Sequence, residues 1–89
     1  MQRYFFHTNN PLERMVQDDE GLMFSNLQTA KREAVQYAGE LLCDVAEHFW
    51  DNADFELTVT DDRGLILFTM RVGGTEAPAV RAERPSFAS

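Results

Sequence analysis

Residues 25–51 read SNLQTAKREAVQYAGELLCDVAEHFWD, and their helical periodicity gives a frame in which the rest of the chain can be placed. The apolar residues recur at steps of three and four, which puts them on one face of an α-helix; they are Leu27, Ala30, Ala34, Ala38, Leu41, Val45 and Phe49. Ser25 with Gln28 fits a capping box, and Asn26 is an equally good N-cap. The sequence therefore predicts one long amphipathic helix over residues 25–51.

This predicted helix is longer than the strands it has to cover. About 25 residues at about 1.5 Å each give a length of ~37 Å, whereas a strand of six to eight residues extends only about 20–27 Å. One end must therefore overhang the sheet, bend, or contact another surface. Gly39, in the middle, costs roughly 1 kcal/mol relative to alanine, and we interpret it as a point of close packing against a neighbouring element.

Two strand candidates precede the helix. Arg3–Thr8 is short and carries aromatic residues on both faces, which is typical of a central strand, and Asn9-Asn10-Pro11 ends it because proline cannot continue a hydrogen-bonded ladder. Glu13–Gln17 is a weaker strand that we expect at a sheet edge. Leu22–Phe24 is expected to lead into the helix and close one end of the core.

Two more strand candidates follow the helix. Phe55–Thr60 alternates cleanly, with Phe, Leu and Val on one face and Glu, Thr and Thr on the other. Asp61–Gly64 has the composition of a tight turn, and Leu65–Val72 then returns as the hairpin partner. Because Leu65–Val72 is apolar on both faces, it is also predicted to be a central strand.

The element order β-β-α-β-β predicts an α+β fold, in which one long helix covers one face of a four-stranded, mainly antiparallel sheet. With the two doubly apolar strands as the inner pair, the strand order is 2-1-4-3 and the first and fourth strands are parallel. The predicted domain spans residues 1–72. Residues 73–89 change to a Gly-, Ala-, Pro- and Ser-rich composition with isolated charges, which predicts a flexible tail.

A single helix leaves the other sheet face without a cover. Phe5 (or Phe6) and one face of Leu65–Val72 would then form an exposed apolar patch, and monomers rarely leave such a patch open. We therefore expect a homodimer formed through the open sheet face.

The net charge is −7, and all of the excess negative charge precedes Gly73. Nucleic-acid binding depends on cations that meet phosphates, so this balance argues against it. A basic protein partner is compatible, particularly at the acidic second half of the helix. The opening residues have no apolar run of signal-peptide length, no stretch is long enough to span a membrane, and the lone Cys43 suits a reducing compartment. Cytoplasmic location is the expectation.

No catalytic constellation, cofactor motif or metal-binding pattern is visible. His7 is the one candidate ligand contact with acid–base chemistry, with Asp18 and Asp19 as its likeliest neighbouring carboxylates; the alternative is a half-buried histidine that hydrogen-bonds a neighbouring strand or turn. Cys43 and His48 lie five residues apart, which suits neither one helix face nor chelation, and Cys43 is expected to be a packed, inert thiol.

The remaining candidate contacts are aromatic. Trp50 lies one step off the apolar stripe, where it either packs at the core edge or anchors an interface. Tyr4 and Phe5 share the strand of His7, and the full set of candidate ligand or partner contacts is Tyr4, Phe5, His7, Asp18, Asp19 and Trp50.

Four signals occur in a recognisable order: the opening Arg3-Tyr4-Phe5-Phe6-His7, a D-x-E-G turn at Asp18–Gly21, an L-x-x-A-x-x-E-A helix from Leu27, and a V-x-D-x-x-G hairpin from Val59. Over residues 3–72 the chain resembles an uncharacterised family of short bacterial proteins, a domain of unknown function. The resemblance implies no activity or ligand. This chain departs from the family at Arg71-Val72, where the family usually closes with a Pro-Phe pair.

Three functional interpretations follow. The first is a small, acidic, non-enzymatic interaction module that self-associates and binds a protein partner. The second is an antitoxin-like or regulatory protein whose acidic surface masks a basic partner. The third is a small-molecule-binding domain near His7.

Overall fold

A computed structural model describes residues 1–10 and 16–79 of the chain and shows an α+β fold. The elements follow the predicted order β-β-α-β-β, with one short additional helix. They are β1 (Gln2–Asn9), β2 (Leu22–Phe24), α1 (Leu27–Asp44), α2 (Phe49–Asn52), β3 (Asp54–Thr60) and β4 (Ile66–Gly73).

The sheet has four strands in the order β2-β1-β3-β4, and every neighbouring pair is antiparallel. The predicted order 2-1-4-3, with a parallel pair, is therefore wrong. β1 is central as expected, but β3 takes the second central place and β4 lies at the edge. Since only one face of this sheet is covered by a helix, a central strand needs only one apolar face, which the clean alternation of β3 supplies.

The second strand lies later in the chain than predicted. Of the predicted strand Glu13–Gln17, residues 13–15 lie outside the described residues, and Val16 forms only an isolated antiparallel bridge with Thr8. Leu22–Phe24, expected as a lead into the helix, is the strand that pairs with Gln2–Tyr4.

The core lies between α1 and one face of the sheet. Tyr4 and Phe6 of β1 are buried there, and the three apolar residues of β3 are completely buried. Small side chains on α1 let the helix approach this surface closely; they are Ala30, Ala34 and Ala38, all buried. The predicted helical face is thus confirmed in its central turns, whereas Leu27 at its start is exposed.

The helix is shorter than predicted and ends at Asp44. Asn26, the second of the two predicted caps, is the N-cap, and its side chain accepts a hydrogen bond from the Thr29 N–H. α1 has 18 residues, or about 27 Å at about 1.5 Å per residue, which matches a strand of eight residues at about 3.3 Å each. After Val45 a turn replaces the helix, and α2 continues for only four residues.

Gly39 does not mark a close contact. It is exposed, and nothing lies within 4 Å of the position its Cβ would occupy, so the close-packing interpretation is wrong. Ala53 ends α2 in the left-handed conformation, with φ of 53°, at the place where a glycine is usually found.

The apolar residues of β4 are distributed over its two faces differently from the prediction. Phe68, Met70 and Val72 pair with Val59, Leu57 and Phe55 and pack half-buried on the helix side. A register shift between Val59 and Thr60 breaks the alternation at the start of β4, where Ile66 pairs with Thr60 and is exposed. The uncovered face therefore carries Ile66, Thr69 and Arg71 from β4, and is more polar than the predicted apolar patch.

The predicted division at residue 72 falls inside β4, which ends at Gly73. Residues 74–79 follow the sheet, and residues 80–89 of the predicted tail lie outside the described residues. The flexible tail stays a prediction.

Candidate functional site

His7 lies half-buried on the uncovered face of β1, and both of its ring nitrogens are occupied. Nδ1 accepts a hydrogen bond from the backbone N–H of Asp18 at 3.1 Å, and Nε2 lies 3.0 Å from the Thr60 hydroxyl on β3. Because a backbone N–H can only donate, Nδ1 carries the lone pair, and the neutral ring has its proton on Nε2. The imidazole thus ties β1 both to the neighbouring strand and to the loop before β2.

The Asp18 side chain completes the hydrogen bonding of β1 where strand pairing is interrupted. The β1 ladder pairs Tyr4 with Leu22 in β2 and Thr8 with Val16 beyond it. Between these points, one Asp18 carboxylate oxygen accepts the Phe6 N–H at 3.1 Å. This carboxylate oxygen takes the place of the backbone carbonyl that a paired strand would offer to the Phe6 N–H.

The same carboxylate closes the turn before β2. Its other oxygen accepts the N–H groups of Glu20 and Gly21, each at 3.1 Å. Partial burial alone would raise the pKa of Asp18, but the hydrogen bonds from the backbone N–H groups of Gly21, Phe6 and Glu20 outweigh it and lower the pKa. Asp18 is therefore held as a carboxylate.

Gly21 is the one residue type that fits next to this carboxylate. Its φ is +72°, and a Cβ there would lie 2.9 Å from both the Arg3 Cγ and the Tyr4 carbonyl oxygen. The D-x-E-G turn thus has a structural reason at both of its ends. Asp61 caps the β3–β4 turn in the same way, where hydrogen bonds from the N–H groups of Leu65 and Arg63 lower its pKa.

A groove of about 400 Å³ runs over the uncovered face beside His7. Its lining joins the middle of the sheet, the β3–β4 turn and the segment after residue 15. The lining residues are His7, Thr8, Asn9, Val16, Gln17, Glu56, Thr58, Thr60, Gly64 and Ile66.

The exposed surface of this groove is more apolar than polar. Ile66 and Val16 supply exposed apolar side chains, and hydroxyl and amide side chains add hydrogen-bond donors and acceptors. Among the described lining residues Glu56 is the only carboxylate, and its side chain is paired with the Arg71 guanidinium at 2.8 Å. Such a surface can hydrogen-bond an extended peptide or an uncharged polar molecule.

The predicted site residues do not form one site. His7 and Asp18 are in contact, and Phe5 lies half-buried on the same strand and approaches Gly21. Tyr4 is buried in the core on the opposite face, where its ring packs against Phe24, so its expected role as a contact is wrong. Asp19 is exposed.

Trp50 lies apart from the groove, on α2. Its side chain is 56% exposed, and its ring packs edge-on against Phe49 and over Gly74. It is thus held in place on one side and open to solvent on the other.

Cys43 and His48 form no site with each other. Cys43 is exposed, so the expected packed thiol is wrong, and His48 Nδ1 lies 3.3 Å from the Asp51 carboxylate. Within residues 1–10 and 16–79, no group of three or more His, Cys, Asp and Glu side chains is placed to hold a metal ion.

Sequence reasoning missed most of the groove. Glu56, Thr58 and Thr60 were expected on the outward face of their strand, but which residue faces His7 depends on the register between β1 and β3. That register pairs His7 with Thr58 and Phe5 with Thr60. No local pattern in either strand specifies it.

Within the described residues, the fold and this site define a small α+β domain with one sheet face covered by the helix and the other left open. The chain matches the domain of unknown function DUF6894 over residues 3–73, and it belongs to that family. No significant match was found among curated proteins or solved structures. Within the described residues, no helix combines the length and apolar character needed to cross a membrane.

Proposed function

We propose that this domain is a non-enzymatic interaction module. It associates with itself, and its uncovered sheet face binds a protein partner. The observation that carries the proposal is the groove of about 400 Å³ beside His7, bordered by Ile66, which is 66% exposed. The middle of the groove lies on the regular strands β1 and β3, which hold His7, Glu56, Thr58 and Thr60 in fixed positions.

A structural role for His7 supports the non-enzymatic interpretation. A general base needs a free nitrogen within reach of the proton it removes. Both His7 nitrogens are engaged, with the Thr60 hydroxyl and the Asp18 N–H. Releasing either nitrogen would remove a side-chain hydrogen bond between β1 and a neighbouring segment.

Charge favours a basic partner. The net charge is −7, and no lysine or arginine occurs between Glu33 and Asp62. Among the described residues, the groove lining also contains no lysine or arginine. A basic chain would be drawn to this surface by long-range attraction. The same charge suits a regulatory, antitoxin-like protein that masks a basic partner, and the identity of the partner distinguishes the two.

A small-molecule site is the second candidate, because the groove volume falls in the usual range for ligand pockets, about 300–1,000 Å³. Its hydroxyl and amide lining suits a neutral polar ligand. The groove is open along the sheet, however, which favours an extended chain over a compact molecule.

The test uses one variant in the groove and one on the helix. Thr58→Arg fills the groove floor and adds a positive charge, whereas Gln36→Arg makes the same change on the exposed surface of α1. Both immobilised variants and the native chain are exposed to extract of the source cells, and any retained protein is purified and titrated. We expect T58R to bind at least about tenfold more weakly, and Q36R to bind like the native chain.

Equal binding of the partner by T58R and the native chain would show that the uncovered face is not the binding surface. Circular dichroism of both variants confirms that they fold. If native mass spectrometry instead shows a small molecule that T58R loses, the second candidate replaces the first.

A further inference from the structure

We infer that β4 pairs antiparallel with β4 of a second copy, around a two-fold axis at Met70, so that two four-stranded sheets join into one. The inference rests on the self-association in the proposed function and names the surface that carries it. It does not involve the groove.

β4 is an edge strand with little to prevent such pairing. Natural edge strands are usually kept short or blocked by lysine, proline or inward charge. β4 has eight residues, contains no lysine or proline, and has Arg71 as its only charged residue, already paired with Glu56. The opposite edge, β2, has only three residues.

The apolar side chains of β4 are also incompletely buried. Phe68, Met70 and Val72 pack against the core but are only half-buried, and within residues 1–10 and 16–79 β4 is the last strand in the sheet order. In a two-fold antiparallel pair, directly opposed side chains lie on the same face. A second β4 therefore brings its own half-buried row alongside the first.

The register follows from side-chain chemistry. With the axis at Met70, Phe68 lies opposite Val72, which is a favourable aromatic–β-branched pair. Thr69 lies opposite Arg71 of the second copy. An axis at Arg71 would instead oppose two arginines, and an axis at Thr69 would oppose Leu67 and Arg71.

The expected association is weak. With the axis at Met70, seven residues of β4 pair (residues 67–73); at about 3.4 Å each the seam is roughly 24 Å long, and one strand edge buries less than the ~800 Å² per partner of a standard interface. We therefore expect a dissociation constant in the micromolar range or above, and a mass that depends on concentration.

The first test is a disulfide at the axis. In a Cys43→Ser background, Met70→Cys places two cysteines directly opposite, with Cα atoms about 4.5–5.5 Å apart, inside the range for a disulfide. Val72→Cys on the same face is the matched control, because its copies lie about 13 Å apart along the seam. We expect a covalent dimer from M70C under mild oxidation and none from V72C.

The second test separates the register from overall charge. Thr69→Lys places a cation opposite Arg71 of the second copy, and Thr69→Glu places an anion there. We expect T69K to weaken the dimer about threefold or more and T69E to strengthen it. If repulsion between the net charges of the two chains controlled association, the reverse would hold, because each chain carries −7 and T69K reduces that charge.

The outcomes separate the two proposals. A native chain that stays monomeric overturns both self-association and the β4 pair. A dimer that M70C fails to cross-link, and whose T69K and T69E variants follow overall charge, overturns the β4 pair and leaves self-association through another surface. Cross-linking by M70C alone, with the Thr69 pair behaving as expected, supports the inference.

Discussion

Asp18 is the residue on which the loop before β2 depends. Its carboxylate accepts three backbone N–H groups, from Phe6, Glu20 and Gly21, and hydrogen bonds to charged groups are among the stronger ones. Asp18→Ala should therefore lower the free energy of unfolding by about 2 kcal/mol. Urea denaturation measures this, with Asp19→Ala, at an exposed position, as the control that should change it by less than ~0.5 kcal/mol. Equal effects of the two substitutions would contradict this role.

The lowered pKa of Asp18 gives its contribution a pH dependence. Because the pKa is lower in the folded than in the unfolded chain, the contribution is present above the unfolded value of about 3.9 and is lost as the pH falls through the folded value. The stability difference between the native chain and Asp18→Asn should therefore shrink between about pH 6 and about pH 3. Urea midpoints at both pH values test this; a difference that grows on acidification would show that the sign is wrong.

At the residue scale, the sequence predicted that Asp18 lies near His7 but not which of their atoms are in contact. It placed Asp18 near His7 because Asp18 lies near the far turn of the same sheet, yet the contact is made by the backbone N–H of Asp18, while its carboxylate binds Phe6. Tyr4 was a candidate contact on the strand of His7, and alternation along β1 places it in the core. Whether a side chain faces the helix or the open face depends on which face the helix covers, and β1 is aromatic on both.

At the scale of elements, replacing Gly39 and replacing Gly21 by alanine should change the free energy of unfolding in opposite directions. Gly39 is a helical, exposed position with open space around its Cβ, so Gly39→Ala should raise the free energy of unfolding by about 0.5–1 kcal/mol. Gly21→Ala should lower it, because φ is positive there and the Cβ would meet Tyr4 and Arg3. Thermal denaturation of both variants is the measurement. A destabilising G39A would restore the close-packing interpretation.

The elements also show which sequence signals carry through to structure. The helix face, the β3–β4 hairpin and the central place of β1 were predictable, because periodicity and turn chemistry are local. The end of α1 was not, because the apolar spacing continues past Asp44 to Val45, which is buried, and to Phe49, which packs against the core, although a turn separates α1 from α2. The strand order failed because the apolar run of β4 was taken as a sign of a central strand, whereas a register shift exposes Ile66 at an edge.

At the scale of the whole molecule, charge opposes self-association. Each chain carries a net charge of −7, so two copies repel each other, and salt screens that repulsion within about 10 Å at 0.1 M ionic strength. Raising the salt concentration should therefore strengthen the dimer, while it weakens binding of a basic partner. Light scattering of the native chain and titration of the partner at low and high salt test the two directions. A dimer that dissociates with salt would indicate an interface held by ion pairs.

The overall architecture was predictable as a class, since one helix and four strands can bury a core only by layering. The groove was not, because it depends on how β1, β3 and the turn of the β3–β4 hairpin meet in space.

The most direct test of the account is sedimentation equilibrium of the native chain over roughly 1–500 μM, a range that brackets micromolar dissociation. The average mass should rise from the 10.2 kDa of one chain towards twice that value as the concentration increases. A mass that stays at 10.2 kDa over the whole range would contradict it.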